Sequence, residues 1–358
     1  MELYIKIGDF MRKIRRKREK QKKRIIIISV FLFLIIMTSG YAAFSTNITL
    51  HAKGNIKCNA ENVKDKLLKV TTTQGDGLYK DEYEDGRYIY RGENPSNYII
   101  FNNELWRIIA LENDGTIKII KNNILEKKLN YDDINNRDVG SNGTGGTYCA
   151  KSGNGCNIWA STQNMIGSPS EFNNGVYSGT VLKDATLNTY LNNDYYNSLN
   201  DDKQYIVYHD YYIGAFEWNQ LPMSISNVIQ NQISKEKKYI WNGKIGLASL
   251  TDILKASLEE NTCQFENITN IPNNPDYYKC ELNTYFKNGN TFYLINGRAV
   301  ANEYVSLTLV LSNIGEIDDY GAGRENLNEF VIRPVVFLDS NIKICGEGTE
   351  NNPYTIKN

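Results

Sequence analysis

Apolar residues along the chain follow three patterns, and the first is an uncharged stretch near the N-terminus. Residues 25–44 read IIIISVFLFLIIMTSGYAAF, and the first thirteen of them are apolar apart from Ser29. A helix of this length is roughly 30 Å long, about the thickness of the hydrocarbon core of a bilayer. The stretch therefore predicts a single-pass transmembrane helix at residues 25–44.

The second pattern is a series of short β-rich runs. Tyr98–Phe101, Leu105–Leu111 and Thr116–Lys121 are separated by turn residues, which predicts a three-stranded meander. Three more β-rich runs follow towards the C-terminus, at Thr291–Ile295, Val305–Leu311 and Phe330–Leu338. These late strands are expected to return to the first sheet.

The third pattern has helical spacing and lies between the two groups of strands. One helix is predicted by apolar residues at every fourth position, which are Leu187, Leu191, Tyr195 and Leu199. Ser249 followed by Asp252 is a capping box, which predicts the start of a second helix. The second helix directs four residues inward: Leu250, Ile253, Leu254 and Leu258.

A weaker helical pattern contains Ile225, Val228, Ile229 and Ile233. Helices between two runs of strands predict an α+β fold.

Charge divides the chain at the apolar stretch. Residues 1–24 contain eleven Lys and Arg against three acidic residues, a net charge of +8, whereas the whole chain carries −1 and the remainder therefore −9. Because Lys and Arg stay on the cytoplasmic side of a membrane, we expect the N-terminus inside and the acidic body outside. Membrane lipid is then the partner of residues 25–44. The acidic body argues against nucleic-acid binding, which needs Lys and Arg on one face.

A cleaved signal peptide is the alternative for the N-terminus. Ala42 and Ala43 follow the apolar core and are small residues suited to cleavage. Retention predicts four parts: a basic cytoplasmic tail (1–24), a transmembrane signal anchor (25–44), an extended and helical stalk (45–86) and an extracellular domain (87–358). Cleavage predicts a secreted protein with the same body.

All six cysteines follow the apolar stretch, where the compartment is expected to be oxidising. Their positions favour three disulfides, which are Cys58–Cys345, Cys149–Cys156 and Cys263–Cys280. Other connectivities remain open. A metal site is the competing interpretation, but no histidine lies near Cys149 and Cys156 and their spacing fits zinc poorly. We therefore predict neither a metal nor a cofactor.

Five segments carry a resemblance to a known family. They are GDGLYKDEYEDGRYIYRGENPSNYIIFNNELWRII (75–109), TLNTYLNNDYY (186–196), WNGKIGLASLTDILKAS (241–257), CELNTYF (280–286) and IRPVVFLDSNIKICGEGTENNPYTI (332–356). Over residues 60–358 the chain resembles a surface-protein family of low-GC Gram-positive bacteria, with a domain of unknown function that ends in RPVV-L. That domain is similar to the C-type-lectin-like fold of sulfatase-modifying factors. The resemblance implies a C-type-lectin-like extracellular domain with long loops, and a binding role more than an enzymatic one.

Catalytic chemistry has little support in the residue types present. The chain has two histidines, His51 and His209, and no nucleophile motif accompanies either. Glu93-Asn94-Pro95 and Asn274-Pro275-Asp276 contain oxygen ligands of the calcium type, but their order does not match the sugar-binding pattern of lectin-like domains. An enzyme is therefore not expected.

Recognition is expected on two long irregular connections, residues 131–180 and 261–278, because loops of this length are commonly functional. Their aromatic residues form the predicted ligand-binding set, which is Trp159, Tyr148, Tyr177, Tyr277 and Tyr278. Trp159 is the predicted anchor, since aromatic residues dominate binding hot spots. The alternative is that Trp159 packs its loop onto the core.

Tyrosine is abundant elsewhere, with 25 residues in the chain. The run Tyr208–Tyr212, with Phe216 and Trp218 nearby, has stacking on glycan rings or peptide as one interpretation. Ordinary packing in strands and cores is the other.

Together these patterns predict a membrane-anchored extracellular binding or adhesion protein at the cell membrane, with an unknown glycan, cell-wall component or protein as its ligand. The first alternative is a secreted matrix or pilus-like subunit released by signal cleavage. The second alternative is a cell-wall-active enzyme.

The cysteine assignment predicts that the exported protein contains no free thiol. A maleimide applied to the native exported protein should label none of the six cysteines, because each is expected to be paired. Two or more reactive thiols would contradict the disulfide framework and reopen a metal or redox role.

Overall fold

The computed structural model describes residues 58–133, 136–137, 155–167, 183–216, 223–258, 264–265, 282–298, 307–322 and 330–357. In chain order the strands are β1 (Glu61–Asn62), β2 (Gly77–Lys80), β3 (Tyr88–Arg91), β4 (Tyr98–Phe101), β5 (Glu104–Leu111), β6 (Ile117–Lys121), β7 (Met165–Ile166), β8 (His209–Tyr212), β9 (Met223–Ser224), β10 (Ile240–Gly243), β11 (Ile245–Gly246), β12 (Gln264–Phe265), β13 (Phe292–Gly297), β14 (Leu307–Leu311), β15 (Ile317–Gly321), β16 (Val335–Leu338), β17 (Lys343–Cys345) and β18 (Tyr354–Lys357). The helices are α1 (Val63–Leu68), α2 (Thr186–Tyr190), α3 (Tyr196–Ser198), α4 (Ile225–Lys238) and α5 (Leu250–Lys255). A π-helical turn at Leu191–Tyr195 joins α2 to α3, and a 3-10 turn follows at Asp201–Tyr205.

Ten strands form the main sheet, in the order β1-β17-β18-β4-β5-β6-β16-β11, with β2 paired to β3 and β3 paired to β5. Strands β18 and β4 are parallel, whereas the other neighbours are antiparallel. The predicted meander is present as β4-β5-β6. Its first turn consists of Asn102 and Asn103, whose φ angles of 56° and 58° suit a two-residue hairpin loop.

The two ends of the folded unit meet at one edge of the main sheet. Glu61 in β1 pairs with Ile344 in β17, and a disulfide joins Cys58 to Cys345, with their Cα atoms 5.9 Å apart. This is the long-range cysteine pair that the sequence favours. Cys156 is also disulfide-bonded, and three cysteines lie outside the described residues, namely Cys149, Cys263 and Cys280.

Three smaller sheets accompany the main sheet, with the orders β7-β10-β8, β9-β12 and β13-β14-β15. Buried aromatic residues pack against β13 of these sheets and within the main sheet. The Tyr131 hydroxyl donates to the backbone carbonyl of Ile295 in β13 at 2.9 Å, and its ring lies 6.0 Å from that of Tyr293. In the main sheet Trp106 packs edge-on against Phe101, with ring centroids 5.2 Å apart.

The predicted fold class of the body, an α+β fold with a C-type-lectin-like domain, is wrong. The described structure is mostly β with few helices, and only α4 among them is longer than six residues. Strands β8, β10 and β11 lie between the helices, so the region with helical spacing also contributes to sheets. The pattern from Leu187 to Leu199 does not form one α-helix, because the π-helical turn interrupts it.

The N-terminal predictions have two different outcomes. Residues 25–44 lie outside the described residues, and in the part of the chain that the structure does describe no helix is long and apolar enough to cross a membrane. Residues 58–86, predicted to belong to a stalk, contain β1, α1 and β2 and are part of the folded unit that begins at Cys58.

Helix α5 begins as its sequence predicts. Ser249 caps the helix: its hydroxyl accepts from the backbone N–H of Asp252, and the Asp252 carboxylate accepts from the backbone N–H of Ser249. Leu250, Ile253 and Leu254 are buried. Leu258 lies beyond the end of the helix and is 38% exposed, so the prediction that it faces inward is wrong.

A buried ionic network links the main sheet to α5. Its centre is Arg87, whose guanidinium contacts four carboxylates, on Asp81 (2.9 Å), Glu112 (2.9 Å), Asp252 (3.2 Å) and Glu84 (3.5 Å). Lys118 adds a second cation to Asp252 at 2.5 Å, and Lys255 contacts Asp81 at 2.8 Å. Burial alone would lower the pKa of Arg87, but the four carboxylates raise it well above its usual value.

Arg87→Met should destabilise the protein strongly, because it leaves four carboxylates around an apolar side chain. Loss of one partner from a buried ion pair costs about 3–5 kcal/mol, and urea unfolding measures it. The control is Lys69→Met, which removes the exposed ion pair of Lys69 with Glu61. This variant should leave the free energy of unfolding nearly unchanged, since surface pairs contribute little. Equal effects of the two variants would contradict the central role of Arg87.

Candidate functional site

The predicted loop surface falls largely outside the described residues. Tyr148, Tyr177, Tyr277 and Tyr278 are among the residues that the structure does not describe. Their assignment to a ligand-binding surface therefore stays a prediction.

Trp159, the predicted anchor of that surface, is fully buried. Its ring makes edge contacts with Tyr131 and Trp241, at centroid distances of 5.7 and 5.8 Å, and its carbonyl accepts from the backbone N–H of Ala185 at 3.1 Å. A side chain without exposed surface has no area to offer a ligand. The structure places Trp159 in the core, which is where the alternative interpretation expects it.

The small sheet β7-β10-β8 carries a different candidate site. Side chains alternate between the two faces of a strand, and Tyr211 and Trp241 are turned to the core. Their neighbours in β8 and β10 therefore point outward. By the strand register the outward side chains form three cross-strand pairs, which we call the β8–β10 face: Tyr212 with Ile240, Asp210 with Asn242, and, one step beyond the strands, Tyr208 with Lys244.

One end of the β8–β10 face is an exposed aromatic group. Tyr208 is 66% exposed, and Lys244 Nζ lies 5.1 Å from the centroid of its ring. The same Nζ lies 4.1 Å from the ring of Tyr196 and donates a hydrogen bond of 2.6 Å to the Tyr196 hydroxyl. Because a cation is attracted to the face of an aromatic ring, Lys244 holds the two tyrosines next to each other at the surface.

The other end of the face is organised in a similar way around Tyr212. Lys237 Nζ, on α4, lies 5.3 Å from the centroid of the Tyr212 ring and forms an ion pair with Glu84. Burial alone would raise the pKa of Glu84, but Arg87, Lys255 and Lys237 lower it to about 2. Glu84 is therefore ionised at neutral pH and fixes Lys237 beside the tyrosine.

Polar and apolar groups lie between the two tyrosines. The side-chain amide of Asn242 donates to the Asp210 carboxylate at 2.8 Å, so the two groups are held side by side. Next to them Ile240 pairs with Ile166 of β7, which is 67% exposed. The centre of the face thus offers a carboxylate, an amide and a small apolar surface to solvent.

His209 attaches the face to the main sheet. Its ring stacks on Phe337 of β16, with the centroids 3.8 Å apart and the planes 8° from parallel. Its Nε2 lies 3.4 Å from Asp114 Oδ2. Burial alone would raise the pKa of Asp114, but hydrogen bonds from Thr116 and the nearby His209 lower it overall. His209 therefore acts as a support of strand β8 in this geometry.

The sequence contained part of this site. The run Tyr208–Tyr212 was a candidate for stacking, and the alternation of its residues indicates which of them share a face. Lys244, Asn242 and Tyr196 were missed, because the hydrogen bond between Asn242 and Asp210 joins residues 32 positions apart. A local pattern does not reveal such a pairing.

No family model, no curated protein and no solved structure matches the chain. The resemblance to the surface-protein family therefore stays a prediction. Among the described residues no group of three or more His, Cys, Asp and Glu side chains could hold a metal ion.

Helix α4, which carries Lys237, is attached to α5 through a buried acid. Glu236 accepts hydrogen bonds from the backbone N–H of Thr251 at 3.2 Å and from its hydroxyl, and from the Gln232 side chain at 3.3 Å. Burial raises the pKa of Glu236 from 4.5 to about 7, and the nearby Asp252 adds to this effect. The hydrogen bonds from Thr251 oppose the rise in part.

Glu236→Gln should change how stability depends on pH. Because the pKa of Glu236 is higher in the folded state, its contribution is complete below about pH 4.5 and is lost as the pH rises to about 7. A shift of this size corresponds to about 3 kcal/mol. Urea unfolding of both proteins across this range should show the wild type losing that much relative to the variant. A difference that stays constant with pH would contradict the burial of this acid.

Proposed function

We propose that the protein is an exported binding protein that recognises a glycan through the β8–β10 face. The observation that carries the proposal is the pair of tyrosines at the ends of this face, each with a lysine over its ring. Tyr208 and Tyr212 are four residues apart on one face, which is about 13 Å in an extended strand. A chain of sugar rings laid along the strand would meet both of them.

The chemistry of the face suits sugars. Aromatic rings offer a flat apolar surface of defined orientation, on which the apolar face of a sugar ring stacks. The Asp210 carboxylate accepts hydrogen bonds, and the Asn242 amide both donates and accepts them. Sugar hydroxyls need such groups. Apolar platforms beside a few placed polar groups are the usual composition of a ligand site.

The location outside the cell is supported by two observations. The disulfide Cys58–Cys345 closes nearly the whole folded unit, and disulfides persist in oxidising compartments. The basic residues 1–24 and the apolar stretch after them are typical of an export signal. Binding or adhesion at the cell surface is the function that fits this location and this face.

The test is a screen of the exported protein against an array of glycans and cell-wall polysaccharides, followed by variants. Tyr208→Ala should weaken binding of a captured glycan by about tenfold or more, because an aromatic side chain that the ligand covers on binding contributes at least about 1–2 kcal/mol. Its melting temperature should stay unchanged, since the side chain is mostly exposed. Tyr212→Ala should weaken binding as well.

The matched control is Tyr79→Ala on β2. Tyr79 is also a partly exposed strand tyrosine with a cation over its ring, because Arg91 lies 4.9 Å from its centroid. Its loss should leave glycan binding intact. The proposal fails if no glycan is captured, or if Tyr79→Ala and Tyr208→Ala reduce binding equally.

A further inference from the structure

Four arginines are buried among the described residues, and two of them differ from the other two in the charge of the groups around them. Arg333, the arginine of the RPVV segment, and Arg107 in β5 are 1% and 4% exposed. Neither guanidinium contacts a carboxylate among the described residues. Arg87, which is similarly buried, contacts four carboxylates, and Arg137 contacts Asp132 at 2.7 Å.

Neutral groups surround Arg333. Its Nε donates to the backbone carbonyl of Lys121 at 3.0 Å and its Nη1 to that of Phe286 at 2.7 Å. Its guanidinium carbon lies 4.9 Å from the centroid of the Phe292 ring. The third nitrogen, Nη2, is buried and has no hydrogen-bond partner in the described structure.

Arg107 is held by neutral groups as well. It donates to the side-chain carbonyl of Asn97 and, at 3.2 Å, to the backbone carbonyl of Pro95. Its guanidinium carbon lies 3.8 Å from the centroid of the Tyr98 ring. Glu350 acts on Arg107 through space without contacting it.

The segment Thr284–Phe286 contacts both arginines. Phe286 receives the hydrogen bond from Arg333, and the ring of Tyr285 lies 5.1 Å from the guanidinium carbon of Arg107. The hydroxyls of Thr284 and Tyr285 are buried and, like Arg333 Nη2, lack a hydrogen-bond partner among the described residues. Three groups that can donate hydrogen bonds are therefore unsatisfied on or beside one short segment.

The charge of Arg333 persists in spite of its burial. Burial and the neighbouring Arg107 lower the pKa of Arg333 to about 9, which leaves it protonated at neutral pH. Carbonyl dipoles and aromatic rings reduce the cost of a buried cation without neutralising it, and an uncompensated buried charge is strongly unfavourable. An anion beside Arg333 would reduce this cost and give Nη2 a hydrogen-bond acceptor.

We propose that Arg333, together with Arg107 and the hydroxyls of Thr284 and Tyr285, binds a small inorganic anion inside the protein. The ligand is small because both arginines are almost fully enclosed. Chloride, sulfate and phosphate share the required chemistry, which is negative charge with acceptor capacity for N–H and O–H donors. The site is separate from the β8–β10 face and does not depend on the function proposed for that face.

The test measures the melting temperature of the full-length protein while chloride, sulfate or phosphate replaces gluconate at constant ionic strength. Gluconate is too large for an enclosed site. For the bound anion the melting temperature should rise by about 2 °C for each tenfold increase in concentration above the dissociation constant. Arg333→Met should abolish this rise, because Met keeps the bulk of the side chain and removes its charge and donors.

The control variant is Arg298→Met, which removes an arginine that contacts a carboxylate, that of Asp319, at 2.8 Å. This variant should retain the anion response of the wild type. If Arg333→Met responds as the wild type does, the rise is a general salt effect and the proposal is wrong.

A second measurement keeps the proposal testable if Arg333→Met does not fold. Equilibrium dialysis of the wild-type protein against radiolabelled chloride, sulfate or phosphate should retain one anion per chain. Retention of none of the three would overturn the proposal.

Discussion

The buried charge of Arg87 is the constraint on which much of this structure depends. A guanidinium in the core must be surrounded by carboxylates or carry a large energetic cost, and the carboxylates that surround Arg87 come from separate parts of the chain. Glu112 follows β5, Asp252 lies in α5, and Asp81 follows β2. Satisfying this one side chain therefore brings the end of the main sheet and helix α5 into a single arrangement.

The same network extends to the candidate binding surface. Glu84 contacts Arg87 and also holds Lys237 of α4, and Lys237 lies over the ring of Tyr212 on the β8–β10 face. On the opposite side of strand β8, His209 stacks on Phe337 of the main sheet. The face is thus built on strands whose positions are set by the core, and sites on such elements are held more accurately than sites on loops.

The core contains two solutions to the problem of a buried cation. Around Arg87 the protein supplies carboxylates from its own chain. Around Arg333 and Arg107 it supplies carbonyls and aromatic rings, and unsatisfied donors remain. Carboxylates of the chain itself balance the charge of Arg87, whereas in our proposal an anion taken up from the solvent balances the charge of Arg333.

Local sequence determined the elements whose cause is local. The meander β4-β5-β6 follows from β-rich runs and turn residues, the start of α5 follows from Ser249 and Asp252, and the closure by Cys58 and Cys345 follows from the placement of cysteines. The meander and the start of α5 depend on residues within a few positions of one another, and the closure depends on cysteines placed near the two ends of the folded unit.

Tertiary structure decided the rest. Spacing alone predicted an α+β fold, because it could not show that β8 and β10 would pair between the helices. It assigned Trp159 to a surface, because the burial of an aromatic residue in a loop depends on which partners reach it. The contact between Lys255 and Asp81 joins residues 174 positions apart. Contacts at such separations depend on the order of strands in the sheets, and that order is a property of the whole chain and not of any segment.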